Sequence, residues 1–244
     1  MRLRSVSPRD IPCAAMIEGF RHILFPEVCV ACTTLLDAGE KLICVECLAE
    51  FSPFPDAASG GEALKRLVRE HFGQEEVPAD AWCLYPFRHR GRLHDAIHAL
   101  KYEGIFPLGT FFGCKLGELI VAAGDHAQFD GIVPVPLHSL KGIERTYNQA
   151  GKIAEGISGL LGVPVLEGVL VRQRYTGSQT GLTSTARRRN VQGAFRPGRA
   201  KCPPRVLLVD DVVTTGATLT AAAAVLRASG ASSVSFAAVA LTEK

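Results

Sequence analysis

The sequence has no run of about 18 uncharged apolar residues, so no membrane-spanning helix or membrane insertion is expected. It also lacks a strong charge of either sign: 27 Lys and Arg against 24 Asp and Glu leave +3. That balance neither demands nor excludes a nucleic acid partner. Aromatics are scarce, at 7%. Gripping a single strand by stacking bases on rings among basic residues needs more of them. No internal repeat or low-complexity tract occurs, which excludes a solenoid array. Residues 1–25 are interrupted by Arg9, Asp10, Glu18 and Arg21, a pattern that argues against a secretory leader. A cytoplasmic location is the expectation. What remains is 244 residues, 47% hydrophobic, with mean hydropathy +0.16. This suits one sizeable α/β core with a small appendage.

Four of the eight cysteines fall into two pairs, Cys29-x-x-Cys32 and Cys44-x-x-Cys47. Two such knuckles separated by a short loop are the zinc-ribbon arrangement, with four thiolates closing a tetrahedral site. A redox pair would instead show one motif at a helix start after a strand. Four thiolates leave no open position for water, so the expected zinc is structural. The other cysteines (Cys13, Cys83, Cys114 and Cys202) are scattered, and are most simply small buried apolar residues. Cys13 is the doubtful one, a spare ligand or an exposed thiol.

The pattern predicts a cysteine module over residues 1–55, too short for a core of its own without a metal. Residues 56–80 read as a linker and a short helix at 62–72, with Ser59-Gly60-Gly61 as linker punctuation. The large domain occupies 81–244. It begins with an apolar stretch at 82–87, followed by helices at 92–102 and 107–123. Then come a buried strand at 131–136, a helix at 148–161, a strand at 167–171, a long polar segment at 172–191, a strand at 206–210, a helix at 217–229 and a strand at 233–241. Such alternation implies an α/β fold with a doubly wound, mainly parallel sheet. His94 and His98, four apart on the first helix of that domain, read as a solvated face rather than a metal site.

One stretch of this domain carries the most chemistry. Val206-Leu207-Leu208-Val209 runs into Asp210-Asp211-Val212-Val213, then Thr214-Thr215-Gly216-Ala217-Thr218. An all-apolar run is a strand covered on both faces, and in open α/β sheets ligands bind beyond the carboxyl ends of such strands. Hydroxyls and N–H groups before a helix N-terminus make an anion site, most simply for phosphate. The carboxylates suit sugar hydroxyls or a magnesium-bound ligand. A ligand with both a phosphate and a ribose satisfies the whole element.

The strand at 131–136 should lie beside it, so the loop after that strand shares its mouth. Lys141, Arg145, Asn148 and Gln149 on this loop suit a diphosphate, which needs cations and amide donors. The long segment holding Arg172, Arg174, Gln179 and Arg187 reads as a mobile lid, though only Tyr175 offers a ring among its arginines.

The Asp-Asp-x-x-Thr-Thr-Gly-x-Thr element resembles the phosphoribosyl diphosphate (PRPP) signature of type I phosphoribosyltransferases. The resemblance implies that Asp210 and Asp211 hold the ribose hydroxyls, and that residues 214–218 wrap the 5′-phosphate. The whole chain resembles the ComF family of competence-associated phosphoribosyltransferase-like proteins. That likeness runs through Phe25-Pro26, the cysteine pairs, Leu100-Lys101-Tyr102 and Val133-Pro134-Val135-Pro136. It continues through Arg145…Asn148-Gln149 and Arg172…Gln179…Arg187…Asn190-Val191…Phe195 to Asp210-Asp211…Thr214-Thr215-Gly216. Where the family has Arg-Gly-Phe-Asn-Gln, this chain has Arg145-Thr146-Tyr147-Asn148-Gln149.

The resemblance implies PRPP with magnesium, and transfer of the phosphoribosyl group to an unidentified nitrogen acceptor. Asp210, Asp211 and Arg145 would be the catalytic residues. Thr214 stands where enzymes for 6-oxopurines carry an Asp, which argues against hypoxanthine or guanine. The alternative it leaves open is a non-catalytic module acting in DNA uptake through single-stranded DNA or protein contacts.

Overall fold

The computed structural model describes residues 27–124, 128–137, 147–173 and 193–242. Four strands form one parallel sheet: β1 (Ala81–Phe87), β2 (Gly131–Pro134), β5 (Arg205–Val213) and β6 (Ser233–Thr242), in the order β1-β6-β5-β2. A single bridge between Ile132 and Val165 extends its edge by one residue. Helices α1 (Val45–Glu50), α2 (Ser59–Phe72), α3 (Arg92–Tyr102), α4 (Pro107–Ala122), α5 (Gln149–Leu161) and α6 (Ala217–Ala228) cover it. The sheet is wound on both sides, as its alternating pattern implies.

Side-chain alternation along β5 divides the core. Leu207 and Val209 pack with Leu93, Ile97 and Leu100 of α3, Phe112 and Leu116 of α4, and Ile153 and Ile157 of α5. Val206 and Leu208 pack with Leu64 and Val68 of α2 and with Leu219, Ala223 and Leu226 of α6. Successive side chains of a strand point to opposite faces, so a strand buried on both sides must be apolar throughout.

The structure departs from the sequence pattern at three places. Gly60 and Gly61 lie inside α2, not in a linker. A Cβ on Gly60 would stand 2.1 Å from Cys83 O, and one on Gly61 2.0 Å from Ala81 O. The glycines let this helix rest directly on β1, a use that the linker reading of Gly-Gly misses.

The strand expected at 167–171 is instead β3 (Leu170–Arg172), paired antiparallel with β4 (Phe195–Pro197) in a separate two-stranded sheet. Gly168, at φ 78°, lies between the bridge at Val165 and this new direction. Thirdly, β5 does not stop at the first aspartate: its pairing with β6 runs on to Val213 opposite Leu241.

The cysteine module has an antiparallel bridge, Val28 with Leu35, and joins the main core through Ile43 and Phe51. The Phe51 ring stands 5.5 Å from that of Tyr85 on β1 and 6.3 Å from that of Phe112 on α4. Cys83 and Cys202 are buried and Cys114 is partly so, while Cys13 lies outside the described residues.

Candidate functional site

Because the sheet is parallel, the ends of β2 and β5 open on the same edge. At the end of β5, Val212 and Val213 are its last paired residues, and Thr214 and Thr215 make the turn. Gly216 takes φ 77°, a left-handed conformation that costs any residue with a Cβ, and caps α6. Ala217 and Thr218 then open α6, whose first-turn N–H groups have no partner within the helix. Thr215 is buried, and its Oγ1 has no hydrogen-bond partner among the described residues. A buried hydroxyl left unpaired beside a helix N-terminus is the chemistry of an anion cradle.

The two aspartates part company. Asp211 faces the end of α3, while burial weighs most on Asp210. Asp211 N–H donates to Asp210 Oδ1 at 2.9 Å, and Val212 N–H donates to Asp211 Oδ1 at 2.6 Å. Lys101 at the end of α3 reaches over to Asp211, with Nζ 3.2 Å from Oδ2. Low-dielectric surroundings, then the neighbouring Asp211 charge, push the Asp210 carboxyl up to about 7, against the pull of Lys101 and Arg172. Arg172, on β3, lies with its guanidinium carbon 5.4 Å from the centre of the Phe195 ring.

Asn148 and Gln149 are brought to the same edge. Asn148 precedes α5 and donates from Nδ2 to Val135 O at 3.1 Å, while its Oδ1 is buried without a hydrogen-bond partner among the described residues. It lines a cleft of about 330 Å³ with Val133, Pro136, Tyr147, Leu166 and Leu170. Gln149, 1% exposed, donates from Nε2 to Lys101 O at 3.5 Å. Lys141, Arg145, Arg174, Gln179 and Arg187 lie outside the described residues.

Lys101 is what sequence reasoning missed. Leu100-Lys101-Tyr102 is visible as a motif, but a lysine in the last turn of an amphipathic helix reads as an ordinary cation at the C-terminus. Nothing in the linear pattern ties position 101 to position 211.

The sulfurs of Cys29, Cys32, Cys44 and Cys47 all lie within 4.8 Å of one another. Cys44 N–H donates to Cys29 Sγ at 3.3 Å. Hydrogen bonding with the Thr34 side chain and backbone brings the Cys32 thiol down to about 6, and burial pushes that of Cys47 up. Glu40 braces the loop between the pairs, accepting from Asp37 N–H and Val45 N–H at 2.8 and 2.7 Å. Four converging thiols with a hydrogen-bonded surround fit a tetrahedral metal ion. His94 and His98 sit on the exposed face of α3, beside Asp95 and Glu103.

Comparison with known proteins bears on the same region. Residues 150–244, from α5 through β6, match the phosphoribosyl transferase domain family. The chain carries a phosphoribosyl transferase domain. Its homologues extend the likeness beyond that domain. Competence protein F of Haemophilus influenzae is 28% identical over 210 residues, 83% of this chain and 91% of that protein. The DNA utilization protein YhgH of Escherichia coli K12 is 34% identical over 149 residues, 58% of this chain and 64% of that protein. The Salmonella typhi YhgH is 35% identical over 105 residues, 43% and 46% of the two chains. This chain thus spans from about half to under two thirds of these YhgH proteins.

Among solved structures, the glutamine PRPP amidotransferase from B. subtilis, complexed with ADP and GMP, is 22% identical. It covers 54% of this chain and 26% of that one at a TM-score of 0.37, too loose to add to the fold seen directly. Among the described residues, no helix is long and apolar enough to cross a membrane.

Proposed function

We propose that this phosphoribosyl transferase domain binds PRPP with magnesium at the β5–α6 edge and transfers the phosphoribosyl group to a nitrogen acceptor, in the service of DNA uptake or utilization. The observation that carries this reading is the order of groups along β5 and α6. A carboxylate pair leads into a Thr-Thr-Gly turn with a buried, unpartnered Thr215 hydroxyl, and then into a helix N-terminus. A ribose 5-phosphate presents its hydroxyls and its phosphate in that same order. The role in DNA metabolism rests on the names of Competence protein F and YhgH.

In this reading Asp210 and Asp211 accept hydrogen bonds from the ribose hydroxyls. Thr214, Thr215, Gly216, Ala217 and Thr218 enclose the 5′-phosphate through hydroxyls and N–H groups. Magnesium bound with PRPP would supply neutralisation of the diphosphate charge. The carboxylates steady the positive charge that develops on the sugar as the diphosphate leaves. Asn148 and Gln149 would offer amide groups to the diphosphate, and Lys141 and Arg145 would supply its cations. Arg172, with Arg174, Gln179 and Arg187 further along the chain, would supply the cations that cover the leaving group. Cys29, Cys32, Cys44 and Cys47 hold a structural zinc, with the chain cytoplasmic.

Titration calorimetry with PRPP and magnesium tests the site. Binding should be measurable, and replacing both Asp210 and Asp211 by Asn should remove it; unchanged affinity would sink the assignment. A panel of nitrogenous bases, read by diphosphate release, then tests transfer. Binding without release from any base would leave a PRPP-sensing module in place of an enzyme.

A further inference from the structure

The last turn of α3 touches two parts of the site at once. Lys101 Nζ pairs with Asp211 Oδ2 at 3.2 Å, with side chains only 20% and 13% exposed. One residue earlier, Leu100 O accepts the Tyr147 hydroxyl, and Lys101 O accepts Gln149 Nε2. Tyr147 and Gln149 stand where the loop after β2 returns to the fold. The backbone beneath Lys101 is held firmly, because Leu93, Ala96, Ile97 and Leu100 are buried against the sheet.

Exposed lysine–carboxylate pairs contribute little, since water serves both partners well. This pair is largely withdrawn from water, so its geometry is enforced by the packing of α3. An ionised carboxylate has about four lone-pair directions. At Asp211 the Val212 N–H takes one on Oδ1 and Lys101 takes one on Oδ2, which fixes the plane of the carboxylate. The remaining lone pairs are then presented in a single orientation. Two neighbouring sugar hydroxyls need such a surface, and a freely rotating carboxylate would have to be ordered on binding.

We propose that Lys101 is a positioning residue for sugar binding, acting through Asp211 to orient its carboxylate toward the hydroxyls of a 5-phosphorylated ribose. This rests on the reading of the β5–α6 edge as a PRPP site. Lys101 lies in α3, outside the matched domain, so the sugar site is completed by a helix that precedes it in the chain.

The test is calorimetry of wild type, Lys101→Met and Lys101→Arg with two ligands, PRPP and ribose 5-phosphate, each with magnesium. Lys101→Met should weaken both by the same factor, roughly tenfold, the loss expected for one charge-assisted hydrogen bond. Lys101→Arg should recover most of that loss, and melting curves establish that each variant is folded at the assay temperature. Should Lys101→Met not fold, Lys101→Gln, which keeps a donor without the charge, takes its place under the same criteria. The proposal is overturned if Lys101→Met binds both ligands as wild type does. A loss confined to PRPP also overturns it, since Lys101 would then contact the diphosphate itself. Wild type that binds neither ligand removes the reading of the site, and this proposal with it.

Discussion

At the scale of single residues, the acidic pair shows how neighbours in sequence acquire different chemistry. Asp211 has a cation of its own in Lys101. Asp210 lies in surroundings that disfavour its charge, beside a second carboxylate, and its carboxyl rises to about 7. A group whose proton affinity rises on folding stabilises the protein below its unfolded value. That stability is lost as pH climbs through the folded value. Stability should therefore fall between about pH 4 and pH 7 and level off above it. Asp210→Asn removes the penalty: at pH 8 the variant should melt roughly 10 °C above wild type, an excess that vanishes near pH 4. Thermal denaturation across that range checks it. A variant that gains stability while losing PRPP binding is what a strained functional carboxylate should give.

At the scale of elements, the crossing of α4 and α5 is a close one and depends on glycine. A Cβ on Gly113 would stand 2.1 Å from Ile153 O, and one on Gly156 would stand 2.3 Å from Thr110 O. The helix backbones touch, leaving no room for even a methyl group. Since α5 begins at Gln149, any shift of this helix is felt where Asn148 and Gln149 meet the site. Gly156→Ala should destabilise by about 2 kcal/mol, as overpacking does. A fall in Tm of about 5 °C is expected, with weaker PRPP binding measured by calorimetry. Helix periodicity placed α3, α4 and α5 nearly to the residue, because one buried face per helix repeats every three to four positions. It could not show that these glycines are contact points, since a close approach is a property of two elements. The same limit explains Gly60 and Gly61, which read as a linker and turned out to be the seat of α2 on β1.

At the scale of the whole molecule, the cysteine cluster is tied into the core that carries the site. Ile43 and Phe51 join the cluster of Tyr85 and Phe112, and Arg92 of α3 donates to Ala31 O at 3.3 Å. Metal bound at Cys29, Cys32, Cys44 and Cys47 should thus stabilise more than its own loop. Purified protein should carry about one zinc per chain. Removing it with a chelator should lower the melting temperature of the whole protein rather than add a separate early transition. A metal assay near zero would overturn the ribbon reading.

The sequence by itself determined what is local or periodic. The spacing of the two cysteine pairs, the apolar run of β5, the Thr-Thr-Gly turn and the alternation of strands and helices each lie within a few residues of chain. Local geometry therefore reveals them. Only the tertiary structure decided which residues meet across the chain. It gave Asp210 and Asp211 different surroundings, brought Lys101 from α3 to the second of them, and turned β3 away into a separate pair with β4. Those outcomes depend on packing between elements more than a hundred residues apart in the case of Lys101 and Asp211. No pattern along the chain records that packing.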